Sequence, residues 1–85
     1  MKLEAENNVV CPLIQIKPGE RARMVGLRGG KWLVGRLTSL GFTPGVELTM
    51  VQNFGRGPLI VSVRDTRVAL GRGEAAHIIV QRNGA

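Results

Sequence analysis

The 85-residue chain has no tyrosine, a single cysteine and a single histidine. One cysteine can form no internal disulfide, which agrees with a reducing compartment. One cysteine, one histidine and scattered carboxylates also leave few combinations for nucleophilic or acid–base catalysis. The sequence therefore predicts that the protein is not an enzyme.

Long apolar runs are missing as well. No segment approaches the roughly 18 apolar residues of a membrane span. Glu4 and Glu6 stand where a signal peptide would need its apolar segment. These absences predict a cytoplasmic protein.

Acidic residues are scarce, with six Asp and Glu against twelve Lys and Arg, for a formal net charge of +6. Residues 21–46 contain no acid at all, and the basic residues of this span are Arg21, Arg23, Arg28, Lys31 and Arg36. Such a block predicts a positive potential that attracts acidic partners, phosphates or anionic lipid head groups. An ordinary solvated basic face is the alternative interpretation.

The clearest positive signal is a helix with a defined end. Three leucines recur at spacings of four and three and share one helical face between about residues 31 and 40: Leu33, Leu37 and Leu40. Gly41 can adopt the left-handed conformation of a Schellman cap, which would fold Phe42 back onto Leu37. The next three residues, Thr43-Pro44-Gly45, predict a type II turn.

Short apolar or alternating segments on both sides of this helix predict about five strands: residues 21–27, the segment from residue 46, and residues 59–63, 67–70 and 77–81. Such spacing is typical of a small closed or nearly closed antiparallel barrel, here with the helix inserted after the first strand. We interpret residues 1–11 as a mobile N-terminal tail, 12–82 as one domain and 83–85 as a C-terminal tail.

Cys11 and His77 are the best candidates for metal ligands, for example for weakly bound Fe²⁺ or Zn²⁺. They fall short of a complete ligand set, so a full site would need a second subunit. Nucleic-acid binding is disfavoured because aromatic residues are few, and Trp32 is expected to pack beside the helix. Phe54 and Arg56, between Asn53 and Gly57, predict an exposed loop tip that contacts a protein partner.

The segment Arg36-Leu-Thr-Ser-Leu-Gly-Phe-Thr-Pro-Gly45, together with residues 13–20, 57–63 and 68–80, resembles the FeoA family of ferrous iron transport proteins. The resemblance covers roughly residues 12–81. It implies a mainly β, SH3-like barrel with a helical insertion after the first strand. It also implies a small cytosolic accessory of the large membrane protein that carries ferrous iron and bears a cytosolic GTP-binding domain.

The leading hypothesis is therefore a non-enzymatic adaptor, cytoplasmic or peripheral at the inner face of the membrane. It would dock on the cytosolic GTP-binding domain or the membrane part of the transporter and regulate or assemble it. The candidate partner-binding residues are Arg36, Thr38, Ser39, Thr43, Phe54 and Arg56. Two alternatives stay open, a transition-metal sensor or carrier with a site between subunits, and a basic nucleic-acid-binding barrel. A weak homo-oligomer is also compatible with the sequence.

Overall fold

The computed structural model describes residues 9–82 and shows a mainly β architecture. In chain order the strands of this part are β1 (Val10–Pro12), β2 (Arg21–Leu27), β3 (Glu47–Gln52), β4 (Leu59–Val63), β5 (Thr66–Leu70) and β6 (Ile78–Arg82). Helix α1 (Lys31–Ser39) lies between β2 and β3, and the single-turn helix α2 (Arg72–Ala75) lies between β5 and β6. A 3₁₀ turn at Leu13–Gln15 follows β1.

All strand pairs are antiparallel, and the sheet has the order β1-β6-β2-β3-β4-β5. Strands β1 and β5 are the two edges, so within residues 9–82 the sheet is open rather than closed by hydrogen bonds. The mainly β fold with one inserted helix is confirmed. The described part has six strands rather than five, and α1 follows the second strand rather than the first.

The additional strand corrects the predicted start of the domain. Val10 and Cys11, assigned to a tail, pair with Gln81 and Val80 of β6. The Cys11 side chain is only 6% exposed, because this strand covers one end of the core. The remainder of the predicted N-terminal tail, residues 1–8, and the C-terminal tail, residues 83–85, lie outside the described residues.

The core is built from alternating strand residues and one side of α1. Strand β4 shows the pattern most clearly, with its first, third and fifth residues buried. Such alternation places one face of the sheet inward and the other toward water. The largest side chains with almost no exposure are Phe42, Leu13, Ile16, Met24, Leu37, Leu48, Met50, Leu59, Leu70, Ile78, Val61 and Val63.

The end of α1 has the predicted Schellman geometry. Gly41 has a φ of 108°. The Phe42 N–H donates to the Leu37 carbonyl at 3.1 Å, and the Gly41 N–H donates to the Thr38 carbonyl at 3.0 Å. Phe42 is fully buried. The helix end therefore also places an aromatic ring in the core.

The turn after the cap reverses the chain onto β2. Gly45 has a φ of 89°, and the Val46 N–H donates to the Thr43 carbonyl at 3.1 Å. The Gly45 N–H donates to the Met24 carbonyl at 2.8 Å, and the Met24 N–H donates to the Val46 carbonyl at 2.9 Å. These bonds fix the direction in which α1 leaves the sheet, and thereby the position of its exposed face.

Candidate functional site

Helix α1 covers the core with one side and exposes the other. Leu37 is fully buried, and Leu33 and Leu40 are partly buried against the core. The opposite side starts with Lys31 and Trp32, both exposed. The amphipathic pattern read from the leucines is confirmed.

Arg36 and Glu74 connect α1 to α2. The Nε of Arg36 donates to Glu74 Oε2 at 2.7 Å, and the backbone N–H of Gly71 donates to the other carboxylate oxygen at 3.1 Å. The hydrogen bond from Arg36 and then that from Gly71 lower the pKa of Glu74. Arg36, a candidate partner-binding residue, therefore also has a structural role, because it holds two helices together. Its side chain still keeps 43% of its surface exposed.

The other candidates at the end of α1 differ in how far they are available to a partner. The Ser39 hydroxyl donates to the Gly35 carbonyl at 2.9 Å, and the Thr43 hydroxyl accepts a hydrogen bond from Arg64 at 3.0 Å. Thr38 is exposed, and its side chain has no hydrogen-bond partner within residues 9–82. Only Thr38 of these three therefore lacks a local structural role.

The loop between β3 and β4 is held by the carboxamide of Asn53. Its Nδ2 donates to the carbonyls of Ile14 and Ile16 at 3.0 and 2.9 Å, and its Oδ1 accepts from the Gly55 N–H at 3.1 Å. Phe54 follows directly and is 74% exposed. Because the base of the loop is fixed, the ring is presented to solvent from an ordered support.

Arg72 of α2 strengthens the same loop from the other side. One guanidinium nitrogen, Nη1, donates to Asn53 Oδ1 at 3.1 Å and to the Gly57 carbonyl at 3.3 Å. Helix α2 thus contacts the loop through Arg72, and it contacts α1 through Glu74. Arg56 lies exposed in the same loop, close in sequence to Phe54.

The two candidate metal ligands lie in different settings. Burial raises the pKa of the Cys11 thiol, with an opposing effect of the Arg82 charge. His77 lies just before β6, and its Nδ1 is 2.9 Å from the Gly73 carbonyl, which makes that nitrogen the donor. Within residues 9–82, no three His, Cys, Asp or Glu side chains lie together as a metal site would need. A site shared between subunits would have to reach a thiol that is buried in the core.

A shallow polar groove of about 360 Å³ lies on the outer face of the sheet. Its charged lining is balanced, with two arginines and two carboxylates: Arg21, Arg64, Glu47 and Asp65. Thr49 and Ser62, neighbours in the β3–β4 register, supply hydroxyls. Such a lining selects neither an anion nor a cation by charge.

Trp32 is a candidate contact residue that the sequence interpretation missed. We expected it to pack beside the helix, but it is 77% exposed, the highest value among the large hydrophobic residues between positions 9 and 82. The leucine spacing contained the signal, because residue 32 lies one turn before Arg36 and about 100° around the helix from Leu33.

Among the described residues, no helix is long and apolar enough to cross a membrane.

Comparison with known proteins places this arrangement in a family. The model of the FeoA domain matches residues 11–82. A protein of Methanocaldococcus jannaschii named Fe(2+) transport protein A is 34% identical over 70 residues, which is 82% of this chain and 84% of the relative.

Solved structures agree with this match. A crystal structure of the iron uptake regulatory protein FeoA superposes with a TM-score of 0.83 at 34% identity, covering 87% of this chain and 99% of the other. The FeoA of Stenotrophomonas maltophilia complexed with zinc, described as a procaryotic SH3 domain protein, gives a TM-score of 0.74 at 30% identity over 87% of this chain and 98% of its own. The SH3-like fold is thereby confirmed.

Proposed function

Since the chain belongs to the FeoA domain family, we propose that it is a non-enzymatic accessory of ferrous iron uptake that docks on the cytosolic side of a membrane ferrous iron transporter. It would assemble or regulate that transporter through its cytosolic GTP-binding domain or its membrane part. The protein would act in the cytoplasm, close to the membrane. The S. maltophilia FeoA, for which a role as a ferrous iron transport activating factor has been suggested, supports this proposal.

The single observation that carries the docking proposal is that Phe54 is exposed on a loop whose base is held by hydrogen bonds. An aromatic ring that is 74% exposed costs free energy in water and gains most when a partner covers it. Asn53 and Arg72 fix the loop beneath the ring, so little conformational entropy is lost on binding. Arg56 beside it supplies a charge for an acidic partner surface.

The binding assay uses the purified chain and the detergent-solubilised transporter, with its isolated cytosolic domain as a second bait, each with and without guanine nucleotide. We expect retention of the wild-type chain and an affinity loss of about tenfold or more for Phe54→Ala, as for an interface hot spot. Arg56→Ala should weaken binding less, and Arg67→Ala, an exposed arginine on edge strand β5, is the matched control. Absence of wild-type retention by either bait under all nucleotide conditions would contradict the proposal.

A further inference from the structure

The connection between β2 and α1 forms a continuous exposed tip. All five residues from Arg28 to Trp32 are exposed. Val25, at the bulge where the β2–β6 register shifts between Met24 and Gly26, adds an apolar side chain that is 47% exposed. We call the set Val25, Arg28, Lys31 and Trp32 the β2–α1 tip. It combines two apolar side chains with two cations within eight residues.

Two of the basic neighbours of this tip are paired, whereas the cations of the tip, like Arg21, have no side-chain partner among residues 9–82. Arg23 pairs with Glu47, and Arg36 pairs with Glu74. Within residues 9–82, the side chains of Arg28 and Lys31 have neither a hydrogen bond nor an ion pair. Residues 21–46 contain no acid that could neutralise them locally. The tip therefore presents uncompensated positive charge to an anionic partner.

The indole at the tip indicates what kind of anionic partner fits. Trp has an apolar body and one N–H donor, and it is enriched where an apolar region meets water and lipid head groups. Basic side chains next to such a ring bind anionic lipid surfaces, and each contributes electrostatic attraction within a Debye length. A folded protein partner would instead need shape complementarity, for which the Phe54 loop on its fixed support is better built.

We propose that the β2–α1 tip is a membrane-contact site that binds the anionic lipid surface, with Trp32 inserted at the level of the head groups and with Arg28 and Lys31 on lipid phosphates. The site orients the chain on the bilayer. The inference does not require the docking function, because it is tested with lipid alone.

The experiment uses the full chain and sedimentation with vesicles of equimolar phosphatidylglycerol and phosphatidylcholine, compared with vesicles of phosphatidylcholine alone. Trp32 is the single tryptophan of the chain, so its emission reports directly on the tip. We expect binding to the anionic vesicles at low salt, a shift of the emission to shorter wavelength and protection from an aqueous quencher. Binding should weaken steeply as salt is added.

Matched variants separate the site from general charge. Arg28→Glu should weaken vesicle binding about 30-fold. Arg67→Glu changes the net charge equally at an exposed position on β5 and should have little effect. Trp32→Ala removes a side chain that is 77% exposed, so the fold should persist while binding falls. Normal circular dichroism spectra would verify folding.

Three results would overturn the proposal. One is the absence of sedimentation with anionic vesicles. Another is an equal loss of binding in Arg28→Glu and Arg67→Glu. The third is a Trp32 emission shift with the soluble cytosolic domain of the transporter but none with vesicles, which would assign the tip to a protein partner.

Discussion

Gly41 lies where α1 ends, and its φ of 108° is the conformation that an L side chain adopts least readily. A Cβ at this position would meet Arg64 Cδ at 3.6 Å, which is ordinary contact, so the backbone and not crowding requires glycine. Gly35 lies in the same helix, and a Cβ there would meet nothing within 4 Å. Alanine substitutions at the two glycines should therefore change the stability of the fold in opposite directions.

Replacing each with alanine tests this difference. Gly41→Ala should lower the free energy of unfolding by about 1–2 kcal/mol, because the Schellman cap needs a positive φ. Gly35→Ala should raise it by about 0.5–1 kcal/mol, because alanine favours the helix and restricts the unfolded chain. Urea unfolding of both variants beside the wild type measures the changes. Equal effects of the two substitutions would show that the cap geometry does not stabilise the fold.

At the scale of elements, α2 is the short piece that joins α1 to the β3–β4 loop. Its four residues form one turn, which is too short to be stable alone. It persists because Glu74 is bonded to both Arg36 and Gly71, and because Arg72 reaches Asn53 and Gly57. We expect this link to depend on pH through Glu74.

The pKa of Glu74 is lowered from an ordinary value of 4.5. A carboxylate whose pKa is lower in the folded state stabilises the fold above its unfolded pKa, and this stabilisation is lost as the pH falls through the folded pKa. Glu74→Gln should therefore reduce stability at neutral pH and lessen the further loss on acidification below about pH 4.5. Acid titration of the free energy of unfolding measures this.

Glu20 also has a lowered pKa and is unchanged in that variant, so the difference from the wild type isolates Glu74. Arg36→Met serves as the control, because Glu74 would keep its bond from Gly71. Its pH dependence should lie between those of the wild type and Glu74→Gln. If the free energy of unfolding changed with pH in the same way for the wild type, Glu74→Gln and Arg36→Met, protonation of Glu74 would not be the cause of the pH dependence.

At the scale of the whole molecule, the sequence was informative wherever the signal was local. The leucine spacing, the Schellman cap, the Pro44-Gly45 turn and the alternation in β2 and β3 all depend on neighbours in the chain. The Arg36–Glu74 pair joins residues 38 positions apart, and no local pattern indicates it. The same holds for Asn53, whose two carbonyl acceptors lie 37 and 39 positions away.

Trp32 and strand β1 were misread for different physical reasons. A large aromatic residue is usually buried, and that expectation outweighed the helical position of Trp32. Strand β1 has only three residues, one of them a proline, so its composition does not indicate a strand. It forms because β6 offers a free edge and because Cys11 fills one end of the core.

Shortened chains test where the domain begins. A chain that starts at residue 9 keeps β1 and the bond from the Arg82 N–H to the Val9 carbonyl at 2.8 Å, so its melting temperature should stay close to that of the full chain. A chain that starts at residue 12 loses the Cys11 burial and most of the β1–β6 ladder, worth about 2 kcal/mol, which corresponds to a fall of about 10 °C. It should also aggregate with rising concentration, because β6 becomes an exposed edge.

Cys11→Ala in the full chain separates the loss of the side chain from the loss of the strand. Equal melting temperatures of the two shortened chains would instead place the start of the domain at residue 12.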